Sequence, residues 1–389
     1  MSIVKAHLYI NSRGQYVTRH SYSGGDTFAF CAQKYYLERV QGWSDKQDRV
    51  ARHFGIALEA GVTFWHQHRQ DTTAAVAEFK RLWLEHKDKE YIYSKPEKDW
   101  ENLGRTGEEL LRLYTLRYPT FPYIVNNPKE AFQVQTNFEV FPGTKLAGIE
   151  FTSYIDLMAN IKKTQPQPTP LFPILPEAGE EIIIDMKTSA KDVPELTVLD
   201  PQLRSYAWVK SLRLVAFLWF RKMGRELSKG DKVTLLESYA GFEPGLSAVV
   251  LGTDDFGIWV TTDPKIEEEM NKLFVGSSKA VVAAKQAYIA ANGKHVTETA
   301  VTKQRVQFKM ATITKESAED IGRSIKRDII NIAAANEKDF WPMQSGVRFP
   351  NEKCPNCAMR GICSNNPELQ DALVTRKQME EFDFGNETE

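Results

Sequence analysis

An aspartate and a lysine end an isoleucine-rich run, EEIIIDMKTSA, from Glu180 to Ala190. In a strand, successive side chains point to opposite faces, so Ile183, Asp185 and Lys187 share one face and Ile182, Ile184 and Met186 the other. Opposite charges at the end of a buried strand are costly unless they pair or hold an ion. A structural ion pair meets that requirement, and so does a catalytic one. The second group with chemical spacing is CPNCAMRGIC, with Cys354, Cys357 and Cys363, to which a distant Cys31 can be added. Gaps of two and five residues let a tight loop turn three sulfurs towards one point. In a reducing compartment this spacing favours a four-cysteine metal centre over disulfides. Zinc and an iron–sulfur cluster both accept four thiolates, and spacing does not separate them. Four ordinary thiols is the plain alternative.

Upstream, SYIDLM places Tyr154, Asp156 and Met158 on one strand face. If that strand pairs with IIIDMK, Asp156 and Asp185 face each other across the sheet with Lys187 beside them. Two close carboxylates repel unless a cation sits between them. A divalent metal held there polarises a phosphodiester and lowers the pKa of a bound water. Lys187 would orient that water or stabilise the developing negative charge. Downstream, QLRSY puts Gln202 and Tyr206 one turn apart on a helix face; an incidental amide and a core tyrosine is the structural alternative.

Acid, then Asp-x-Lys on the next strand, then Gln-x-x-x-Tyr, resembles the PD-(D/E)XK nuclease superfamily in its RecB-like form. The lone Cys31 with C-x2-C-x5-C behind the core is similar to the iron–sulfur branch of that group, which includes AddB, the CRISPR-associated RecB-like nucleases and the exonuclease V group. The resemblance runs in order from about Phe28 to Cys363. It implies a restriction-endonuclease-type α/β core, a mixed sheet flanked by helices, with a helical N-terminal insertion. It also implies a 4Fe-4S cluster on Cys31, Cys354, Cys357 and Cys363 that staples the N- and C-terminal regions together. Asp156, Asp185, Lys187, Gln202 and Tyr206 are then the catalytic set, with Mg²⁺ or Mn²⁺ on Asp156 and Asp185. The implied activity is a metal-dependent deoxyribonuclease, an exonuclease acting on DNA ends or single strands in recombination, repair, phage replication or CRISPR adaptation, with protein partners in such a complex.

Two positions depart from the family pattern. Its G-x-x-x-H motif on the first core helix reads GIALE here, Gly55 to Glu59, so Glu59 is the expected third metal ligand. Carboxylates suit hard cations; His66, seven residues on along the same face, is the alternative. The glycine usual before the first aspartate falls at Ser153 or Gly148 depending on alignment, which leaves Glu150 as a rival to Asp156. Two other functions remain open: a DNA-end-binding scaffold of the same fold, and a zinc-stapled binding protein with a structural Asp–Lys pair.

The elements that must hold these residues follow from patterning over 389 residues, 42% hydrophobic and 26% charged, with a net charge of −1. Near neutrality means that nucleic-acid binding needs a local patch; Lys34, Arg39, Lys191, Arg204, Lys210 and Arg213 lie near the motifs. The segment Met1–Ile10 has no long apolar run, and LVAFLWF (214–220) is too short to span a bilayer, so a cytoplasmic protein without membrane contact is expected. Gly25–Val40 reads as a short helix carrying Cys31, with Phe28, Tyr35, Tyr36 and Leu37 inward. Residues 50–118 read as helices. AFQVQTNFEVF, LAGIEFTSYIDLMANI and EIIIDMKTS read as consecutive antiparallel strands. Pro166, Pro168, Pro170, Pro173 and Pro176 mark an extended loop between the last two. Asp200 and Pro201 open a helix expected to run to Gly224. Strands at DKVTLLESY, GIWVTTD and RVQFKMATIT, helices over 264–292 and at ESAEDIGRSIKRDIINIAAAN, and a mobile acidic tail after Glu368 complete the expectation. The divisions are 1–124, 125–262 for the nuclease core, 263–345, and 346–389 for the cysteine region and tail.

Overall fold

The computed structural model describes residues 8–10, 16–46, 48–89, 91–93, 99–144, 147–162, 175–191, 193–194, 197–222, 229–236, 243–254, 257–275, 278–296, 301–342, 354 and 357–376. It opens with an antiparallel pair, β1 (Leu8–Ile10) and β2 (Tyr16–His20). The Ser21 hydroxyl then caps α1 (Tyr22–Phe30) by accepting from Gly24 N at 3.2 Å. The helix expected over Gly25–Val40 is interrupted at Cys31, whose backbone is extended at φ −161° and ψ 110°. It restarts as α2 (Ala32–Tyr35), with the Cys31 sulfur accepting from Lys34 N at 3.4 Å, and continues as a π-helical turn over Tyr36–Val40. Strands β3 (Trp43–Asp45) and β4 (Asp48–Arg49) follow.

The expected helical region comprises α3 (Val50–Gln67), α4 (Thr72–Glu85) and, after β5 (Tyr91–Ile92), α5 (Trp100–Arg117). Asp71 and Asp99 cap the last two helices through bonds to Ala74 N and Asn102 N. Gly107 of α5 makes room for the Phe79 ring of α4, which any side chain there would overlap. Then come β6 (Tyr123–Ile124), β7 (Phe132–Glu139), β8 (Ile149–Ile161) and β9 (Glu181–Ser189), and the antiparallel order expected for the last three is present. Residues 163–174 of the proline-rich segment between β8 and β9, with four of its five prolines, lie outside the described residues.

The helix expected to reach Gly224 ends at Lys210: α6 is Pro201–Lys210, and Leu214–Arg221 is a strand, β10, parallel to β9. Ser211, in the left-handed region at φ 54°, stops the helix. Leu214, Val215, Ala216, Phe217 and Leu218 are all buried. A strand covered on both faces reads as a continuous apolar run, which is why its pattern was ambiguous.

The sequence continues as β11 (Lys232–Leu235), β12 (Ser247–Asp254), β13 (Gly257–Thr261), α7 (Pro264–Leu273), α8 (Lys279–Asn292), β14 (Lys294–Val296) and β15 (Val301–Lys303). The expected 264–292 helix is therefore two, the second capped by Ser278, and β12 had no counterpart in the sequence reading. These strands form their own antiparallel sheet in the order β14-β13-β12-β11-β15, closed over Val233, Val250, Ile258 and Val260. That sheet spans the 262/263 division. After it come β16 (Val306–Thr312) and α9 (Lys315–Glu337), whose Ile325, Ile329 and Ile332 are buried. Residues following Glu368 are not all tail: α10 (Arg360–Cys363) and α11 (Pro367–Leu373) lead to β17 (Val374–Arg376), which pairs with β3. Residues 377–389 lie outside the described set.

The chain is thus mixed α/β, its main sheet of eight strands ordered β1-β2-β8-β9-β10-β16, with β6 and β7 on the other edge of β8. Helices α3, α4 and α5 bury Phe54, Leu58, Phe79 and Leu110 with Ile182, Ile184 and Leu218 on one face. On the opposite face Leu203 and Tyr206 of α6 pack with Ile183, Val215 and Phe217. At about 25 cal/mol per Å² of apolar surface removed from water, burial of this kind is the main force setting the strand register. Among the described residues no helix is long and apolar enough to cross a membrane.

Candidate active site

The site arises where β8 changes partners. One edge of β8 pairs with β2 over 149–151 and with β9 over 157–160. Residues 152–156 lie between these ladders, so their backbone groups need other partners, and a cleft opens where β8 and β9 part. Two side chains close that account. The Tyr206 hydroxyl donates to Tyr154 O at 3.0 Å, and Met186 N of β9 donates to Asp156 Oδ2 at 2.7 Å. The Asp156 carboxylate thus occupies the place of the next ladder carbonyl.

Asp185 projects from β9 on the α6 face and is fully buried. Lys187 Nζ lies 3.0 Å from its Oδ1 and 2.8 Å from its Oδ2. Lys187 Nζ also donates to Gln202 Oε1 at 3.0 Å, and Gln202 Nε2 donates to Tyr206 OH at 2.6 Å. A single chain of hydrogen bonds therefore runs Asp185–Lys187–Gln202–Tyr206 and ends on the β8 backbone. The Gln and Tyr four residues apart on α6 are both needed for it.

From the other side α3 delivers Glu59, half-buried, whose Oε1 accepts a hydrogen bond from the Gln133 amide. Gln133 sits on β7 at φ 49°, a conformation uncommon for a residue with a Cβ. The irregularity extends across the pair: Ile155 and Leu157, two apart, bury into opposite faces, so strict alternation fails at Asp156. The Gln133 amide also acts on Asp156, whose pKa it helps to lower. The sequence reading missed it, because no motif marks an amide in an alternating strand.

The electrostatics are those of acids crowded together. Burial, then the Asp156 charge, raises Glu59 to about 7. Burial raises Asp156, against the opposing bond from Met186 N. Burial raises Asp185 to about 7, with Lys187 pulling the other way. Burial works against the Lys187 ammonium, but the charges of Asp185, Asp156 and Asp200 outweigh it and raise its pKa. Burial and then Asp185 raise the Tyr206 phenol, which stays protonated as a donor.

His66, the alternative to Glu59, is buried in the helical core. Its Nε2 is 2.7 Å from Tyr114 OH, and burial lowers its pKa to about 3. Seven residues return nearly to the same helix face but about 10 Å further along the axis, away from the cleft. Glu150, the rival to Asp156, pairs in register with Arg19 and Glu139 at the far end of β8. Of the basic residues near the motifs, Lys34 pairs with Glu38 at 3.4 Å, Arg204 donates to Ser317 O at 2.7 Å, and Arg213 pairs with Glu180 at 2.6 Å.

The hard oxygen donors of Glu59, Asp156 and Asp185 are of the type that Mg²⁺ and Mn²⁺ take. Asp185 Oδ2, buried, has an ion-pair partner but no aligned hydrogen-bond donor among the described residues. As the side chains stand, no three His, Cys, Asp or Glu among the described residues are grouped so as to hold a metal ion. The donor set fits such a cation; the rotamers would have to turn towards it.

None of the four cysteines is in a disulfide. Burial raises Cys363, and the thiols of Cys357, Cys31 and Cys354 add to the rise, so each of the other three lies within electrostatic reach of Cys363. The ends of the chain meet around them: Leu37 packs with Met359 and Val374, and Tyr36 stacks on Trp341 with ring centroids 5.1 Å apart.

No family model matches the chain, and no curated protein matches it. Among solved structures it is similar to one titled "Crystal structure of SSO0001", at 11% identity and a TM-score of 0.25, covering 86% of this chain and 93% of that one. A likeness at that level carries no argument about fold or function.

Proposed function

We propose that the protein is a metal-dependent deoxyribonuclease that hydrolyses phosphodiester bonds at DNA ends or in single strands. The observation that carries this reading is the convergence of Glu59, Asp156 and Asp185 with Lys187 at the parting of β8 and β9. A structural ion pair would need one acid for one base. Asp156 repels both Glu59 and Asp185, a crowding that a bound cation relieves, as protonation does when no cation is there. Mg²⁺ or Mn²⁺ bound by Glu59, Asp156 and Asp185 would supply Lewis-acid polarisation of the phosphate and an acidic water.

The protein's own groups have definable roles. Lys187, held by Asp185 and Gln202, presents a fixed ammonium to a non-bridging phosphate oxygen or to the attacking water, where it stabilises developing negative charge. Gln202 and Tyr206 keep that ammonium in place by tying it to the β8 backbone. Gln133 holds the Glu59 carboxylate by a hydrogen bond from its amide.

The second part of the proposal is a 4Fe-4S cluster on Cys31, Cys354, Cys357 and Cys363. Its support is that residues more than 300 apart in sequence share one electrostatic neighbourhood beside the β3–β17 pair. The cluster would be a staple, with no electron to transfer in a hydrolysis.

The test is incubation of end-labelled linear DNA and covalently closed circular DNA with purified protein, with and without Mg²⁺ or Mn²⁺. Cleavage of linear substrate only with metal supports an exonuclease. Absence of cleavage on every substrate, with DNA ends still bound, would replace this reading with an end-binding scaffold.

A further inference from the structure

The outer edge of the cleft continues along the β7–β8 pair, away from the helices. On β7, Gln133, Gln135 and Asn137 are exposed at alternate positions. Gln135 and Asn137 share a face, since Gln135 Nε2 donates to Asn137 Oδ1 at 3.3 Å. Directly across from Gln135 stands Tyr154, 52% exposed. Its phenol side chain takes no part in the hydrogen-bond chain; only its backbone carbonyl does. Cross-strand partners lie on the same face of a sheet, so Tyr154, Gln135 and Asn137 form one strip. Asn137 Oδ1 is fixed further by the Thr152 hydroxyl at 3.0 Å.

An aromatic side chain this exposed in the middle of a 13-residue strand gains little from folding. Its position is nonetheless rigid, because its carbonyl is bound to Tyr206 and so to Lys187. The strip begins two residues from Asp156 on one strand and from Gln133 on the other. It ends at Glu139 and Glu150, paired in register. Between these limits lie about 14 Å of strand, from Gln135 to Glu139, offering neutral amides and one aromatic face and no lysine or arginine. That chemistry suits unstacked bases, which lie on aromatic rings and hydrogen-bond to amides whatever their sequence. It does not suit a duplex, whose outer surface is phosphate.

We propose that this strip is the track that receives a few nucleotides of a single strand next to the scissile bond, with Tyr154 stacking on a base. Tyr154 is a positioning residue. The inference rests on the nuclease reading and names its substrate as a single strand or a frayed end.

The experiment measures anisotropy of a fluorescent thymidine oligonucleotide and of a blunt hairpin duplex, both in EDTA so that nothing is cleaved. It compares wild type, Tyr154→Ala, Tyr154→Trp and Gln135→Ala/Asn137→Ala, with turnover in Mg²⁺ or Mn²⁺ measured separately. Tyr154→Ala should weaken single-strand binding about tenfold and raise KM with little change in kcat, while Tyr154→Trp restores both. The amide double variant should lose affinity by a smaller factor, and duplex binding should be weaker than single-strand binding throughout. Equal single-strand affinity in wild type and Tyr154→Ala, with cleavage intact, would overturn the track and leave the nuclease reading standing. Failure of wild type to bind or cleave any DNA would overturn both.

Discussion

The buried histidine of the helical core makes a quantitative claim about acid stability. His66 is 6% exposed and lies among Trp65, Tyr114, Tyr118 and Phe132, with its Nε2 on the Tyr114 hydroxyl, itself 3.2 Å from Tyr123 OH. Among the described residues the charged group acting on it is the Lys162 ammonium, 4.8 Å from the Tyr118 ring centroid, which also disfavours a cation. Burial first, then Lys162, lowers its pKa from 6.5 to about 3. A depressed pKa means that the unfolded chain binds the proton more readily. The contribution of neutral His66 is therefore fully present above pH 6.5 and is lost as pH falls towards 3. At pH 4.5 the unfolded histidine is about 99% protonated and the folded one almost neutral, which costs about 2.7 kcal/mol. His66→Gln keeps a neutral partner for the Tyr114 hydroxyl and removes the titration. Urea unfolding of both proteins at pH 7.5 and pH 4.5 isolates the effect, since carboxylates and any cluster contribute alike to each. Wild type should lose about 2–3 kcal/mol more than the variant over that interval. Parallel losses would refute the reasoning and place His66 where it can be protonated without penalty.

Three further expectations follow from packing and pairing. Gly107→Ala should destabilise by about 1–3 kcal/mol or more, because the new methyl meets the Phe79 ring; a thermal melt at or above the wild-type value would show that α4 and α5 can separate freely. Tyr206→Phe should cost about 1–3 kcal/mol in urea unfolding, since it strands the Tyr154 carbonyl and the Gln202 amide; an unchanged midpoint would mean that water already replaces that hydroxyl. Cys31→Ala should lose iron and acid-labile sulfide and melt earlier; zinc in place of iron in the wild-type protein would change the metal, and full iron in the variant would remove Cys31 from the ligand set.

Much of this fold was legible because alternation is unambiguous when one sheet face differs from the other. The strands β7 and β8 were readable for that reason, whereas β9, with isoleucines buried on both faces, was readable as a short apolar run. The same rule failed at β10, where both faces are buried and Leu214–Phe220 carries no period; the stop at Ser211 is made by a left-handed serine, a residue that does not announce a helix end as glycine does. It failed again at Cys31, where the chain leaves the helix for one extended residue and the cysteine sulfur caps the next turn. Around the cleft, Asp156, Gln202 and Tyr206 were accessible from spacing, since a helix turn and a strand pair fix who can meet whom. Gln133 was not, because its role depends on a positive φ and on the edge of β8 opposite β7 being without a strand partner over 152–156 among the described residues. Glu59 was preferred to His66 from its place in the family motif, and the axial position of α3 against the sheet, which helical periodicity leaves undetermined, sets Glu59 near Asp156 and His66 on Tyr114.

The most direct test of the central claim is the rate of end-labelled DNA cleavage by wild type, Asp185→Ala and Lys187→Ala, each shown by circular dichroism to be folded. Wild type should cleave only when Mg²⁺ or Mn²⁺ is present, and each variant should be slower by about 100-fold or more. A folded Asp185→Ala or Lys187→Ala protein that cleaves at the wild-type rate would contradict it and return the two residues to a structural ion pair.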